Sequence, residues 1–180
     1  MGERPDISNV GMVVSCSPTH RDMAVSEVEG VAKEAGFSVG AIASGIEGLL
    51  FFEVKSPKEA IKKLNRLCRE KPGLFELTFH YRPVDVWCTS SIEEMQAKIR
   101  ELVPKIGEEE SWRMMLSKRQ YDKYGERELI MKLTEVVDRK KVDLKNAEKV
   151  IVVEIIGEHA GIALAARDEI LDVQQVKKGL

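Results

Sequence analysis

The sequence predicts an α+β protein made of two small domains, and three observations lead to this prediction. Apolar residues recur every three or four positions in some segments and form short continuous runs in others, which indicates that helices and strands alternate along the chain. The 180 residues suffice for one ordinary domain or two small ones. Arg82-Pro83 interrupts a run of strand character, and proline disfavours helix at the residue before it. We therefore expect domains at residues 1–83 and 84–180.

The first half of the chain alternates in a regular order. It begins with an apolar strand at residues 10–14 and a helix that ends at Gly36. Strands at residues 38–43 and 48–54 flank a glycine-containing turn, a helix opens at Pro57, and a strand at residues 74–81 closes the half. The order strand, helix, strand, strand, helix, strand is typical of a ferredoxin-like domain, in which two helices cover one face of a sheet.

The helix that opens at Pro57 has two distinct faces. One face is apolar and contains Ala60, Ile61, Leu64, Leu67 and Cys68. The opposite face is basic and contains Lys58, Lys62, Lys63, Arg66 and Arg69. This division predicts that the helix packs against the sheet and turns its cations to solvent.

The pattern of residues in the second half of the chain predicts a further mixed α/β domain. Thr89-Ser90-Ser91 can cap a helix that Pro104 and Gly107 interrupt. A short strand at residues 111–116, a helix at 126–139 and strands at 149–156 and 160–166 follow. Arg167 is the first cation after the last strand.

Composition excludes several classes of protein. The chain is 43% hydrophobic and 32% charged, a balance typical of a globular protein with a core. No apolar run approaches the ~20 residues of a membrane span, and the N-terminus lacks the pattern of a secretory signal, so we expect a cytoplasmic protein. Cys16, Cys68 and Cys88 stand far apart without metal-ligand spacing. The sequence therefore predicts no metal and no cofactor.

Positive charge is concentrated in one stretch although the net charge of the chain is -2. Between Trp112 and Lys149 there are eleven Lys and Arg residues against seven Asp and Glu. Nucleic-acid binding depends on where cations cluster rather than on their total number. The stretch could therefore form a binding face, or it could be an ordinary solvated surface.

The order of features within this stretch resembles the THUMP domain, an RNA-binding module of tRNA-modifying proteins. A basic turn is followed by an amphipathic helix, the tripeptide Val142-Asp143-Leu144, and a strand that ends in Glu154-Ile155-Ile156. The resemblance covers roughly the second half of the chain. A ferredoxin-like domain followed by a THUMP α/β domain is the arrangement that known THUMP proteins show.

The resemblance implies that this half recognises the folded end of a tRNA. It assigns the main contacts to Lys118 and Arg119, and Tyr121 or Tyr124 could supply a ring for stacking. The predicted RNA-binding residues are Arg113, Lys118, Arg119, Tyr121, Lys123, Arg127 and Arg167. The chain departs from the commoner family pattern at residues 120–122 and 125–126, where a histidine and a helix-opening serine are often found.

No catalytic motif accompanies these features. The sequence contains neither GxGxxG after a strand, nor GxxxxGK[ST], nor the SGGxDS-type loop of thiouridine-forming relatives. A THUMP protein without an enzyme looks most like the adaptor that binds tRNA and presents it to a separate tRNA cytidine acetyltransferase, and we expect this non-catalytic role. The alternatives are a tRNA-binding subunit of a thiolation or methylation system, a ferredoxin-like ligand-binding regulatory module, and an enzyme whose site the sequence does not reveal.

Overall fold

A computed structural model of the chain describes residues 6–179, which form two units. The first unit runs up to Pro83 and resumes at Asp168, and the second covers Val84–Arg167. The predicted domain ranges also include residues 1–5 and 180, which lie outside the described residues.

Strands and helices alternate along the whole described chain. In chain order they are β1 (Met12–Cys16), α1 (Arg21–Ala35), β2 (Gly40–Ile42), β3 (Leu49–Glu53), α2 (Pro57–Glu70), β4 (Thr78–Pro83), β5 (Val86–Thr89), α3 (Ile92–Leu102), β6 (Trp112–Arg119), α4 (Glu126–Thr134), β7 (Lys149–Ile156), β8 (His159–Ala166), β9 (Leu171–Asp172) and α5 (Val173–Lys177). Short 3-10 helices lie at Ile7–Asn9, Pro72–Leu74, Val103–Lys105 and Arg167–Glu169. The protein is therefore a mixed α/β structure, as the sequence predicts.

The first unit is built on an antiparallel sheet with the strand order β2-β3-β1-β4-β9. Side chains of β1 alternate, so that Met12 and Val14 enter the same core as Val28 of α1 and Leu64 of α2. From β1 to β4 the observed succession of strands and helices is the predicted one. Strand β4 begins at Thr78 rather than at residue 74, because Pro72–Leu74 form a 3-10 helix before it.

The C-terminal segment belongs to the first unit rather than the second, which corrects the predicted range 84–180. Strand β9 pairs with β4, and Leu171 and Val173 are buried in the core of this unit. The side-chain amide of Asn65 on α2 donates hydrogen bonds to the carbonyl oxygens of Asp168 and Ile170, at 2.9 Å each. Burial of two apolar side chains and these hydrogen bonds hold the segment against α2.

The second unit has a mixed sheet with the strand order β5-β8-β7-β6. Strands β6 and β7 are parallel, and the other pairs are antiparallel. Helices α3 and α4 contribute Met95, Ile99 and Leu129 to a core that also contains Val153 and Ile162 of the sheet. Helix α4 ends at Thr134, five residues before the predicted end at 139, and β6 extends to Arg119.

Strand β5 has no counterpart in the sequence prediction. It is four residues long and lies at the edge of the sheet, where Val86, Trp87 and Cys88 are only partly buried. A strand of only four residues gives no clear alternation of apolar and polar residues. Its pairing with β8 places Thr89 opposite His159.

Gly161 on β8 allows the close approach of Trp87 from β5. A methyl group at this position would lie 3.0 Å from two carbons of the indole ring and 3.1 Å from Cγ1 of Val84. We expect Gly161→Ala to lower the free energy of unfolding by about 1–3 kcal/mol in urea denaturation, because the core would be overpacked. Gly30→Ala is the control, since nothing lies within 4 Å of Gly30 in helix α1, and alanine there is expected to stabilise by roughly 0.5–1 kcal/mol. Equal effects of the two substitutions would contradict this account.

Candidate nucleic-acid interface

Residues 118–127 connect the end of β6 to the start of α4 and are called the basic loop here. Four cations lie on it, against the two carboxylates Asp122 and Glu126. Lys118 and Arg119 are partly buried at the strand end, whereas Lys123 and Arg127 are exposed. The loop therefore presents a net positive charge beside one end of the sheet.

Lys118 and Arg119 lie on opposite faces of the sheet, because consecutive residues of a strand alternate between faces. Lys118 shares the face of Trp112 and Leu116, which pack beneath the helices. Its ammonium group donates a hydrogen bond to the carbonyl oxygen of Tyr121 at 3.2 Å. Lys118 therefore closes the basic loop on one side, while Arg119 projects from the other.

Backbone contacts hold the basic loop against the neighbouring turn. The Arg119 carbonyl accepts a hydrogen bond from the Gly157 amide at 2.9 Å, and the Ser90 hydroxyl donates to the Gly157 carbonyl at 2.8 Å. Gln120 has a positive φ of 53°, a conformation uncommon for a residue with a side chain. The strand end, the β7–β8 turn and the start of α3 thus form one connected platform.

Tyr121 is buried, with 9% of its surface exposed, and its ring belongs to the core. Its hydroxyl group has no hydrogen-bond partner among residues 6–179, and burial raises the pKa of the phenol. The predicted role of Tyr121 as a stacking ring does not fit this conformation, since the apolar ring is used for packing. Tyr124 is partly buried, with the Lys132 ammonium 5.0 Å from its ring centroid.

Arg113 and Arg167 lie at the other end of the sheet from the basic loop. In the strand register Arg113 is level with Val150, whereas Arg119 is level with Ile156. Six residues of strand correspond to about 20 Å. Arg167 follows the last residue of β8 and donates from Nε to the Ala147 carbonyl at 3.1 Å. The predicted set of cations is therefore divided between two ends.

His159 and Thr89 were not predicted to belong to the site, yet the sheet register places them at the end where the basic loop lies. His159 is level with Ile156 of β7 and with Thr89 of β5. No local pattern marks this position, because β5 was not recognised and His159 is a single histidine after the Gly157-Glu158 turn.

The tripeptide Val142-Asp143-Leu144 forms a turn at the opposite end of the sheet. One carboxylate oxygen of Asp143 accepts hydrogen bonds from the amides of Lys145 and Asn146, at 2.9 Å each. These amides lower the pKa of the Asp143 carboxyl. The aspartate thus fixes the turn that leads towards β7.

The acidic turn at residues 108–110 carries three glutamates. In the structure Glu109 forms an ion pair with Lys141 at 2.8 Å, which lowers the pKa of its carboxyl. Glu110 accepts a hydrogen bond from the Gly107 amide at 2.7 Å and lies 3.9 Å from the Lys149 ammonium. Two of the three carboxylates are therefore engaged within the unit.

Between residues 6 and 179, no three His, Cys, Asp or Glu side chains form a group that could hold a metal ion. No helix of this part combines the length and apolar character that crossing a membrane would require.

Comparison with protein families gives a match within the second unit. The model of the THUMP domain matches residues 89–165, a range that contains the basic loop and the Val142-Asp143-Leu144 turn. No curated protein matches the chain.

Solved structures show a similar fold at low sequence identity. PH1313 from Pyrococcus horikoshii superposes with a TM-score of 0.60 at 18% identity, over 87% of this chain and 55% of that one. TrmN from Thermus thermophilus gives a TM-score of 0.55 at 16% identity, over 85% of this chain and 44% of that one. A predicted N6-adenine-specific DNA methylase from Listeria monocytogenes gives a TM-score of 0.57 at 11% identity, over 86% of this chain and 40% of that one. The chain thus spans about half the length of these proteins or less, and the likeness establishes the fold alone.

Proposed function

We propose that the protein binds tRNA and presents it to a separate enzyme that acetylates a cytidine, because residues 89–165 match the model of the THUMP domain. The observation that carries the proposal is the basic loop, which hydrogen bonds hold at one end of the THUMP sheet. Structured RNA is recognised mainly through phosphates, 2′-hydroxyls and unpaired ends. A positively charged loop in a fixed position suits that kind of ligand.

Lys123 and Arg127 are the most accessible cations of the basic loop. Both are exposed, and neither has an ion-pair partner among residues 6–179. Each can therefore reach a phosphate without first breaking a contact within the protein, while Arg119 contributes from the strand end. In this proposal the loop contacts the backbone near the end of the tRNA, and the release of condensed counterions supplies much of the affinity.

The proposed role is recognition, with the acetyl transfer carried out by the partner enzyme. None of the motifs for nucleotide or methyl-donor chemistry is present in the sequence, which favours a non-catalytic adaptor. We assign the first unit to the ferredoxin-like class, because β1 to β4 follow the expected succession and pair in the order β2-β3-β1-β4. Its proposed task is to support the THUMP domain during presentation of the RNA.

Binding of tRNA by the full chain tests the RNA half of the proposal. Fluorescence anisotropy across a salt series would compare intact tRNA, the same tRNA without its single-stranded 3′ end, and an unrelated RNA duplex. We expect tightest binding to intact tRNA and an affinity that falls as salt rises, because phosphate contacts release counterions. Absence of binding, or equal binding to all three RNAs, would overturn the proposal in favour of a ligand-binding regulatory module.

Nucleoside mass spectrometry of tRNA from cells lacking the gene tests the identity of the enzyme served. We expect the loss of an acetylated cytidine, restored by the wild-type gene. The second candidate function is a subunit of a methylation system, which is favoured because a predicted N6-adenine-specific DNA methylase contains a similar fold in 40% of its chain. Loss of a methylated nucleoside, or of a thiolated one, would replace acetylation by that alternative.

A further inference from the structure

Helix α2 in the first unit carries a strongly basic outer surface. The surface, called the α2 basic face here, consists of Lys55 just before the helix and of Lys58, Lys62, Lys63, Arg66 and Arg69 on it. The inner side of the helix is apolar, and Ala60, Ile61, Leu64 and Cys68 are buried in the core. The cations are therefore held in a fixed pattern by a helix that cannot rotate without exposing its apolar side.

Carboxylates within the unit compensate only part of this charge. Lys62 pairs with Glu59 at 3.3 Å, and this pairing raises the pKa of the lysine. Lys55, Lys63, Arg66 and Arg69 are exposed, and none of these four has an ion-pair partner among residues 6–179. From Lys55 to Lys71 seven cations stand against two glutamates. Glu34 also pairs with Lys71, and Asp168 and Glu169 also act on Lys62. The four unpaired cations therefore lie close to one another without carboxylates in the described chain that neutralise them.

The composition of the face distinguishes between possible partners. Protein interfaces have cores that are depleted of charge and enriched in apolar and aromatic side chains. Nucleic-acid interfaces are more polar and much more positively charged. No apolar side chain lies among the outward positions of α2, because the apolar residues of this helix point into the core. The face therefore suits a polyanionic backbone better than a protein surface.

Spacing along the helix also suits a nucleic-acid strand. Lys63 and Arg69 are six residues apart, which corresponds to roughly 9 Å along the helix axis, with Arg66 between them. A nucleic-acid strand carries one phosphate per ~3.4 Å of its axis. The three side chains, which are long and flexible, can thus reach about three consecutive phosphates.

We propose that the α2 basic face binds the phosphate backbone of RNA, as a second contact surface separate from the basic loop. The inference rests on the proposed function, since RNA is taken as the ligand of the protein. It adds a contact through the first unit, for which the THUMP domain itself gives no reason. Contacts of this kind are independent of sequence and position the RNA rather than select it.

The test is a triple variant of the full chain, Lys63→Gln with Arg66→Gln and Arg69→Gln. Anisotropy titrations with an in vitro transcribed tRNA would be run across a salt series. We expect affinity about tenfold to thirtyfold lower at ~0.1 M salt, and a slope of log affinity against log salt that is shallower by about 2–3, because roughly one unit is lost per phosphate contact. All three side chains are exposed, so the circular dichroism spectrum and Tm should stay unchanged.

The matched control is Lys33→Gln with Lys105→Gln and Lys178→Gln, which removes the same charge from exposed positions outside the face. An equal loss in the control would overturn the inference, since the effect would then follow net charge alone. Wild-type affinity and slope in the triple variant would also overturn the inference and would leave the proposed function intact. Failure of the wild-type protein to bind tRNA would instead refute the proposed function, and the inference with it.

Discussion

Asn65→Asp is expected to lower the free energy of unfolding by about 3–5 kcal/mol at neutral pH. The Asn65 side chain is 6% exposed, and its amide nitrogen donates to the carbonyl oxygens of Ile61, Asp168 and Ile170. A carboxylate in the same place would present only acceptors to these three oxygens, in a site with little water. Urea denaturation of the two proteins measures the difference.

The pH dependence of this effect distinguishes charge repulsion from a simple packing defect. Burial and the facing oxygens would raise the folded-state pKa of the introduced carboxyl above its unfolded value of about 3.9. A raised folded pKa gives stability that is present below the unfolded pKa and lost as pH rises. The difference from wild type should therefore shrink as pH falls towards ~4, whereas the loss in Asn65→Leu, about 2–3 kcal/mol, should not change with pH.

Asn9→Asp is the matched control, because it makes the same chemical change at an exposed position and is expected to alter stability by no more than about 0.5 kcal/mol. A loss at Asn65 as small as that at Asn9 would mean that the C-terminal segment is not held by α2. The assignment of residues from Asp168 onwards to the first unit would then lack its main energetic basis.

The C-terminal segment from Asp168 onwards is a part of the fold that the sequence did not predict. Periodicity located α2 and the order of the strands from β1 to β4, because each of these elements alternates or repeats over its own length. It gave no account of β9, since two residues at Leu171–Asp172 are too few to carry a period. Their pairing with β4 depends on residues about ninety positions earlier, His80 and Tyr81, and a long-range contact leaves no local pattern.

The candidate interface was predictable in part for a similar reason. The cluster of cations between β6 and α4 is local, so Lys118, Lys123 and Arg127 could be found by inspection. Arg113 was grouped with them because it is close in sequence, but a strand separates residues along its length, so it lies at the other end of the sheet. Burial of Tyr121 depends on how the loop turns back on the core, which the residue type alone does not determine.

The double variant Lys118→Ala, Arg119→Ala is expected to bind tRNA about tenfold more weakly than wild type, because each phosphate contact contributes roughly a factor of three at ~0.1 M salt. Both side chains lie at the end of β6 and are only partly buried, so we expect the fold to persist. The control is Lys140→Ala with Lys145→Ala, two exposed cations of the same unit beside the Val142-Asp143-Leu144 turn. Anisotropy titration of both double variants measures the difference.

The two single variants separate the roles of these residues. Arg119→Ala removes a cation, whereas Lys118→Ala also releases the Tyr121 carbonyl that its ammonium holds at 3.2 Å. If each cation contacts RNA independently from its own face of the sheet, the two losses add in a double-mutant cycle. If Lys118 acts instead by holding the basic loop, Lys118→Ala alone should cause nearly the full loss of tRNA affinity. The slope of log affinity against log salt should then change by less than the loss of one phosphate contact requires. Retention of wild-type affinity in the double variant would move the RNA contact away from this end of the sheet.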